Sequence, residues 1–311
     1  MIISASRRTD VPAYFSDWFL KRIQEGYAYV RNPMNARQVS RISLAPDVVD
    51  CIVFWSKNPA PLADKLEGLE GYAYYFQFTL NAYGRDMEEN LPPLDERIDT
   101  FRRLSKRLGR HRVIWRYDPV ILNGRYTLDW HGERFGYIAD RLKNYTEKVT
   151  ISFIDLYPKI AGSIRGKEIS ALSHGRKEAL AERFAAIAHA QGLDIDTCAE
   201  DIDLDAYGIG HARCIDDRLV SRLLGCAMDT GKDKSQRPDC GCAASIDIGL
   251  YNTCQNGCVY CYANHSPDTR RRNLLAYDPD APLLCGRVTK QDKVTERKVK
   301  SERNGQMRLF P

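Results

Sequence analysis

Residues 245–250 read Ser-Ile-Asp-Ile-Gly-Leu, an alternation of apolar and polar positions that predicts a short strand, and the fold turns on where that strand lies. It runs directly into YNTCQNGCVYCYAN, residues 251–264, in which Cys254, Cys258 and Cys261 are spaced C-x3-C-x2-C. Toward the amino end, short apolar runs with β-branched or aromatic content predict buried strands over 1–4, 48–55, 72–79, 113–116, 149–154 and 194–197. Helices are predicted between them: one from an N-cap at Ser16 to a stop at Gly26, others over 61–69, 95–108 and 128–142, and a long one ending at Gly192. Strands alternating with helices argue for a parallel α/β sheet, and at this length a full or partial (β/α) barrel of the TIM type is favoured over a doubly wound open sheet. The 245–250 strand closes that barrel if it pairs in parallel with residues 1–6.

With 311 residues and 43% apolar side chains, the chain can bury a sizeable core, as one large unit or two smaller ones. Nothing approaches 18 consecutive apolar residues, and the opening MIISASRRTD lacks the pattern of a signal peptide, so a cytoplasmic protein with no membrane span is expected. That compartment keeps thiols reduced, and ten cysteines therefore point to metal binding or catalysis rather than to disulfides. The net charge of +5 is confined to residues 287–311, which hold eight Lys or Arg and three Asp or Glu, while residues 1–286 sum to zero. This charged, aromatic-poor tail is expected to be a flexible solvated extension, or an arm attracted to a polyanion such as nucleic acid with help from Arg270, Arg271 and Arg272. The expected divisions are a barrel body over 1–250, a cluster-binding loop and closing segment over 251–286, and a basic flexible tail over 287–311.

In such a barrel the chemistry collects where strands end, and nearly every predicted strand here runs into polar residues: SASRRTD, FWSKNP, FTLN, WRYDP, SFIDLYP and DTCAED. Arg7, Arg8, Asp10, Lys57, Arg116, Asp118, Asp155 and Glu200 would then line one pocket suited to a zwitterionic or phosphate-bearing ligand. Arg7, Asp10, Lys57, Arg116, Asp118 and Glu200 are the candidate catalytic residues. Any one of them could equally be a capping or loop-closing ion pair, so their joint placement carries the expectation.

A strand leading into three closely spaced cysteines, with the aromatic Tyr260 just before the third, resembles the cluster-binding loop of radical S-adenosylmethionine enzymes. The resemblance implies that Cys254, Cys258 and Cys261 ligate three irons of a [4Fe-4S] cluster, leaving the fourth open to the amino and carboxylate groups of S-adenosylmethionine, with an electron donor as partner. In that family the triad follows the first barrel strand, whereas here it follows the last. A strand at 245–250 lying beside residues 1–6 would keep the architecture in circularly permuted order. No glycine-rich adenosylmethionine motif follows the second strand. The alternative for the triad is chance spacing, or a zinc knuckle completed by His265. The whole chain, from MIISASRRTD through RNPMN, FWSKNP, CAED, CID and QRPDCGC to the triad, also resembles a bacterial family described as a domain of unknown function. That likeness implies a carboxyl-terminal cysteine cluster and names no substrate.

Four further cysteines, Cys198 in DTCAED, Cys214 in HARCIDD, and Cys240 and Cys242 in RPDCGC, make a candidate second site for an auxiliary [4Fe-4S] cluster or a zinc ion. Cys198 and Cys214 could instead be buried thiols, and His211 is expected to cap a loop. Cys51, Cys226 and Cys285 lie in apolar settings and are expected in the core. The terminal GQMRLFP, with Gln306, Met307, Leu309 and Phe310, resembles the short peptide by which bacterial replication and repair proteins bind the sliding clamp, which implies DNA as a partner. Three functions stay open: a radical S-adenosylmethionine enzyme, an iron–sulfur electron-transfer or redox-sensing protein, and a zinc-stabilised nucleic-acid-binding module.

Overall fold

The computed structural model describes residues 1–307, with side chains through residue 304. The chain opens with β1 (Ile2–Ala5), passes through α1 (Val11–Tyr14) and α2 (Ser16–Glu25), and forms a hairpin of β2 (Tyr27–Asn32) and β3 (Asn35–Ser43). Then β4 (Cys51–Ser56), α3 (Ala60–Ala63), β5 (Tyr74–Thr79), α4 (Leu94–Leu108), β6 (Val113–Val120), α5 (Leu128–Leu142), β7 (Lys148–Phe153), α6 (His174–Ala190) and β8 (Asp194–Thr197) alternate strand with helix. β9 (Gly210–His211), α7 (Asp217–Leu224) and β10 (Cys226–Met228) lead to β11 (Ile246–Asp247). After it come α8 (Pro267–Leu275), β12 (Lys293–Glu296) and β13 (Arg303–Met307).

Eight strands build one parallel sheet in the order β11-β1-β4-β5-β6-β7-β8-β9. The expected neighbour of the first strand is present: Ile3 lies opposite Ile246 and Ser4 opposite Asp247, in parallel. This strand is shorter than the six residues expected, because the Asp247 carboxylate takes over the pairing. It accepts from the Ser4 and Ser6 hydroxyls at 2.8 and 2.6 Å and from the Arg7 backbone N–H at 2.8 Å. Just beyond, a Cβ at Gly249 would stand 2.0 Å from Ser6 Oγ, so the two strand ends approach as closely as they do only because residue 249 has no side chain.

Successive strand residues alternate between two faces. One face, with Ile3, Phe54, Phe76, Trp115 and Ile151, joins the large apolar core against the helices. The helices meet it with buried positions at helical spacing, such as Ile98, Phe101, Leu104 and Ser105 in α4, and Phe135 of α5 stacks on Phe184 of α6 at 4.4 Å. The opposite face is apolar at the strand beginnings, with Ile2, Val53, Tyr75 and Ile114, and packs on residues of the 212–220 and 240–243 segments. Toward the strand ends the same face turns polar.

Most predicted elements are found with small shifts at their ends. Ser16 is not an N-cap: α1 precedes α2, capped by Asp10, whose side chain accepts from Ala13 N at 3.1 Å, and Phe15 takes the cap position of α2. The 61–69 helix is split into α3 and a 3-10 turn over Leu66–Leu69. Among the described residues no helix is long and apolar enough to cross a membrane.

The tail expected to be a flexible extension runs along the body as two strands. β12 adds in parallel to β3 of the β2–β3 hairpin, and β13 pairs with β10. Its charges are used locally, Arg41 with Glu296 and Arg303 with the buried Asp50, and backbone pairing replaces the apolar burial the segment lacks. Within the clamp-like peptide, Gln306 and Met307 contribute described backbone only, and Leu309 and Phe310 lie outside the described residues.

Candidate functional site

The polar strand ends and the segments flanking β11 enclose a cavity of about 810 Å³. Arg7, Arg8, Asp10, Lys57, Arg116, Asp118 and Asp155 all line it, and so do Tyr260 and the seven cysteines expected to ligate metal. Glu200 is the exception. Its carboxylate accepts from Phe153 N and from Lys177 Nζ, both at 2.8 Å, so it fastens the end of β7 to α6 rather than facing a ligand. Burial pushes its pKa up, against the pull of Lys177.

At one end of the cavity lies the triad. Its loop turns through left-handed backbone at Asn252, with φ 56°, and at Gly257, with φ 71°. A Cβ at Gly257 would come 3.0 Å from both Asn90 Nδ2 and Glu89 Cβ, so glycine suits both the angle and the space. The loop is held from two sides: Asn256 Nδ2 donates to Asp10 Oδ2 at 3.0 Å while Tyr14 OH donates to Asn256 Oδ1 at 2.8 Å, and Val259 N donates to Met87 O at 3.0 Å. Cys254 is buried, and Cys258 and Cys261 are half-buried. Burial pushes all three thiols above their ordinary pKa, with the Lys57 charge opposing it at Cys258 and Cys261. His265 is not in the cavity wall; its ring meets Asn252 Nδ2 at 3.5 Å.

Lys57 stands beside the triad in a buried network. Its Nζ donates to Glu88 Oε1 at 2.8 Å, Tyr260 OH donates to the same oxygen, Arg97 Nη1 lies 3.6 Å from Oε2, and Lys57 sits 5.4 Å above the Tyr260 ring. Burial disfavours both charges, yet the pair overrides it, holding Lys57 above and Glu88 below their ordinary values.

The other four cysteines also line the cavity. Cys214 Sγ donates to Cys198 Sγ at 3.2 Å, Cys242 Sγ accepts from Ile215 N at 3.4 Å, and the Cys242 thiol lies near those of Cys214 and Cys240. The neighbouring Cys242 pulls the Cys240 thiol down to about 7. Arg116, 3% exposed, donates from Nη1 to Cys214 Sγ at 2.8 Å. As the thiols stand, no group of three or more Cys, His, Asp or Glu side chains among the described residues is spread around a single ion position. The contacting Cys198 and Cys214 sulfurs are closer than thiolates sharing a tetrahedral ion, which stand about 3.8 Å apart for 2.3 Å bonds, so this pair would move apart slightly on ligation.

Between the two ends the rim charges are paired. Arg116 grips Asp118 through Nε at 3.2 Å and through Nη2, Ser152 donates to the other Asp118 oxygen, and Arg116 keeps that carboxylate low despite its burial. Asp155 binds Arg237 at 2.5 Å, and Arg7 reaches Asp233 at 3.4 Å. Trp55 lies under both Arg7 and Arg116, with ring distances of 5.9 and 5.3 Å. Sequence reasoning missed Glu88, Trp55, Asp233, Arg237 and Asp247. Of these only Asp247 carried a signal, a carboxylate inside an apolar strand. Cys51 and Cys285 are buried as expected, whereas Cys226 is half-exposed in β10.

Residues 2–263 match the family model for a domain of unknown function, DUF1848. No curated protein matches the chain.

Proposed function

The chain belongs to the DUF1848 domain family, and from the geometry of its cavity we propose that it is an iron–sulfur enzyme of the radical S-adenosylmethionine type, built on a permuted (β/α) barrel. The observation that carries this reading is that the cysteine triad and the polar strand ends face one cavity. The donor set fits the group: three thiols on a single tight loop, none of them paired with a fourth cysteine, suit a [4Fe-4S] cluster with one iron open. Such a cluster, when bound, supplies the electron for reductive cleavage of S-adenosylmethionine and hence a hydrogen-abstracting radical. The permuted barrel is supported by the register of β11 on β1, which puts the triad loop after the strand next to the amino-terminal one.

The chain's own residues do the binding. Lys57, kept cationic by Glu88 and flanking the triad, is placed for a carboxylate beside the cysteines. Arg7 and Arg8 offer a second anion-binding site, and Asp155 offers a carboxylate to an ammonium group or to ribose hydroxyls, Asp118 being held by Arg116 and Ser152. The Trp55 and Tyr260 rings supply aromatic surface to the cavity wall.

Anaerobic purification tests the reading. Brown protein with about four irons per chain at the triad is expected, lost in the Cys254→Ala/Cys258→Ala/Cys261→Ala variant, with a spectrum that changes on adding S-adenosylmethionine. Brown protein indifferent to that addition would point to electron transfer or redox sensing. Iron content unchanged by the triple substitution would end the cluster assignment.

A further inference from the structure

We infer that Cys198, Cys214, Cys240 and Cys242 hold one mononuclear thiolate-ligated ion of the zinc class, and that this ion clasps the two outer regions of the parallel sheet. The inference is independent of the proposed enzymatic function, because none of these cysteines belongs to the triad. It rests on three observations.

The first is contact geometry. Cys198 and Cys214 sulfurs are 3.2 Å apart, and Ile215 N donates to Cys242 Sγ at 3.4 Å, which brings the C-x-C pair against the Cys214 turn. Thiolates on one tetrahedral ion stand about 3.8 Å apart, whereas cysteines on different irons of a cluster are separated by roughly 6–7 Å. One sulfur pair in contact, with the C-x-C segment held on the turn beside it, is nearer to the first arrangement than to the second. Four sulfur donors without carboxylate or imidazole also select zinc over harder cations.

The second is charge. A zinc ion with four thiolates carries a net charge of −2 and needs cations around it when it is buried. Arg116 spends an N–H on Cys214 Sγ at 2.8 Å, a weak use of a buried guanidinium if the partner is a neutral thiol and a charge-assisted bond if it is a thiolate. Arg7, Arg237 and Lys148 also lie in the field of Cys242, Cys198 and Cys214, each of them paired with a carboxylate, Asp233, Asp155 and Asp196 respectively, so Arg116 is the cation in direct contact with a sulfur.

The third is topology. Cys198 follows β8 and Cys214 follows β9, at one end of the sheet order, while Cys240 and Cys242 precede β11, at the other. Protein hydrogen bonds across this junction are few, such as Ala243 N to Ile215 O at 3.0 Å. One ion ligated from both sides would join segments that strand pairing leaves separate, and ligation free energy would become folding free energy.

The test is metal analysis of the full chain with the triad replaced, Cys254→Ala/Cys258→Ala/Cys261→Ala. About one zinc per chain is expected to survive gel filtration, and to be lost on adding Cys240→Ala. Since the latter variant can fail by unfolding, the same triad-free chain is also produced in cobalt-supplemented medium. Strong sulfur-to-cobalt charge-transfer bands with tetrahedral d–d bands are the expected signature. The inference is overturned if the folded triad-free chain holds no metal and shows the four thiols free or oxidised, and equally if it holds iron with matching acid-labile sulfide. Either result leaves the triad assignment untouched, because the triad is absent from the protein measured.

Discussion

Glu88 is 2% exposed and lies within reach of Lys57, Arg97 and Tyr260. In a low-dielectric interior its negative charge is what allows two cations to stay buried, so removing it leaves uncompensated charge rather than merely losing a bond. Glu88→Gln is expected to cost about 3–5 kcal/mol in urea unfolding. Adding Lys57→Met removes one of the stranded cations, and the double variant should be less destabilised than the sum of the two single changes; additive costs would show that the pair is not coupled. Asp10 gives the contrasting case. Oδ1 accepts from Ala13 N, and Oδ2 accepts from Lys57 N at 2.9 Å and from Asn256 Nδ2 at 3.0 Å, so both oxygens are already used. The residue positions the rim and the triad loop, and the loop-closing reading of a lone aspartate is the one that applies to it.

At the scale of elements, β11 is two residues long, and what fixes it is a close approach rather than a long ladder. A methyl group at residue 249 would overlap Ser6 Oγ and Ser6 Cβ, at 2.0 and 2.6 Å, and the Ser6 hydroxyl is pinned by its bond to Asp247 and by the Arg8 N–H it accepts. Gly249→Ala is therefore expected to cost about 1–3 kcal/mol by overpacking and to raise amide exchange in the triad loop that follows; thermal unfolding and exchange mass spectrometry measure the two effects. The apolar strands were legible because each carries its own signal: CIVFWS and YYFQFT are buried on both faces and could be little else. β2, β3 and β12 were not. NARQVSRIS and KVTE are largely polar and exposed, and they are strands because each finds an edge to pair with, a long-range fact absent from local composition. The same holds for Ser16, whose role as a cap was displaced by a short helix that only the Asp10 cap explains.

Across the whole molecule, the site was legible as far as topology reaches. Parallel strands bring their carboxyl ends to one rim whatever the details, so Arg7, Lys57, Arg116 and Asp155 could be grouped from sequence; Glu200 could not be separated from them, because its engagement by Lys177 depends on how α6 lies. The tail was misjudged for a related reason: its charge density suggested solvation, while its partners lie some 250 residues away. Asp50, fully buried, accepts from Ser301 Oγ at 2.6 Å, Glu302 N at 2.7 Å and Arg303 Nε at 3.0 Å, and also from the Met1 amino group. A chain ending at residue 286 would strip three of these donors from a buried carboxylate and β12 from Gln38–Arg41 of β3. The expected cost is about 2–5 kcal/mol. Amide exchange should accelerate over 38–41 and 48–50, while β5 to β7 stay protected. Acid should act in the same direction. Burial alone would raise the Asp50 pKa, but the Glu302 and Ser301 bonds and the Met1 amine hold it below the ordinary aspartate value. The anchor is therefore complete above about pH 4 and is lost as pH falls through the depressed folded value, so release of the tail should begin only below that point. Unchanged exchange at 48–50 in the truncated chain would restore the solvated extension that the composition suggests.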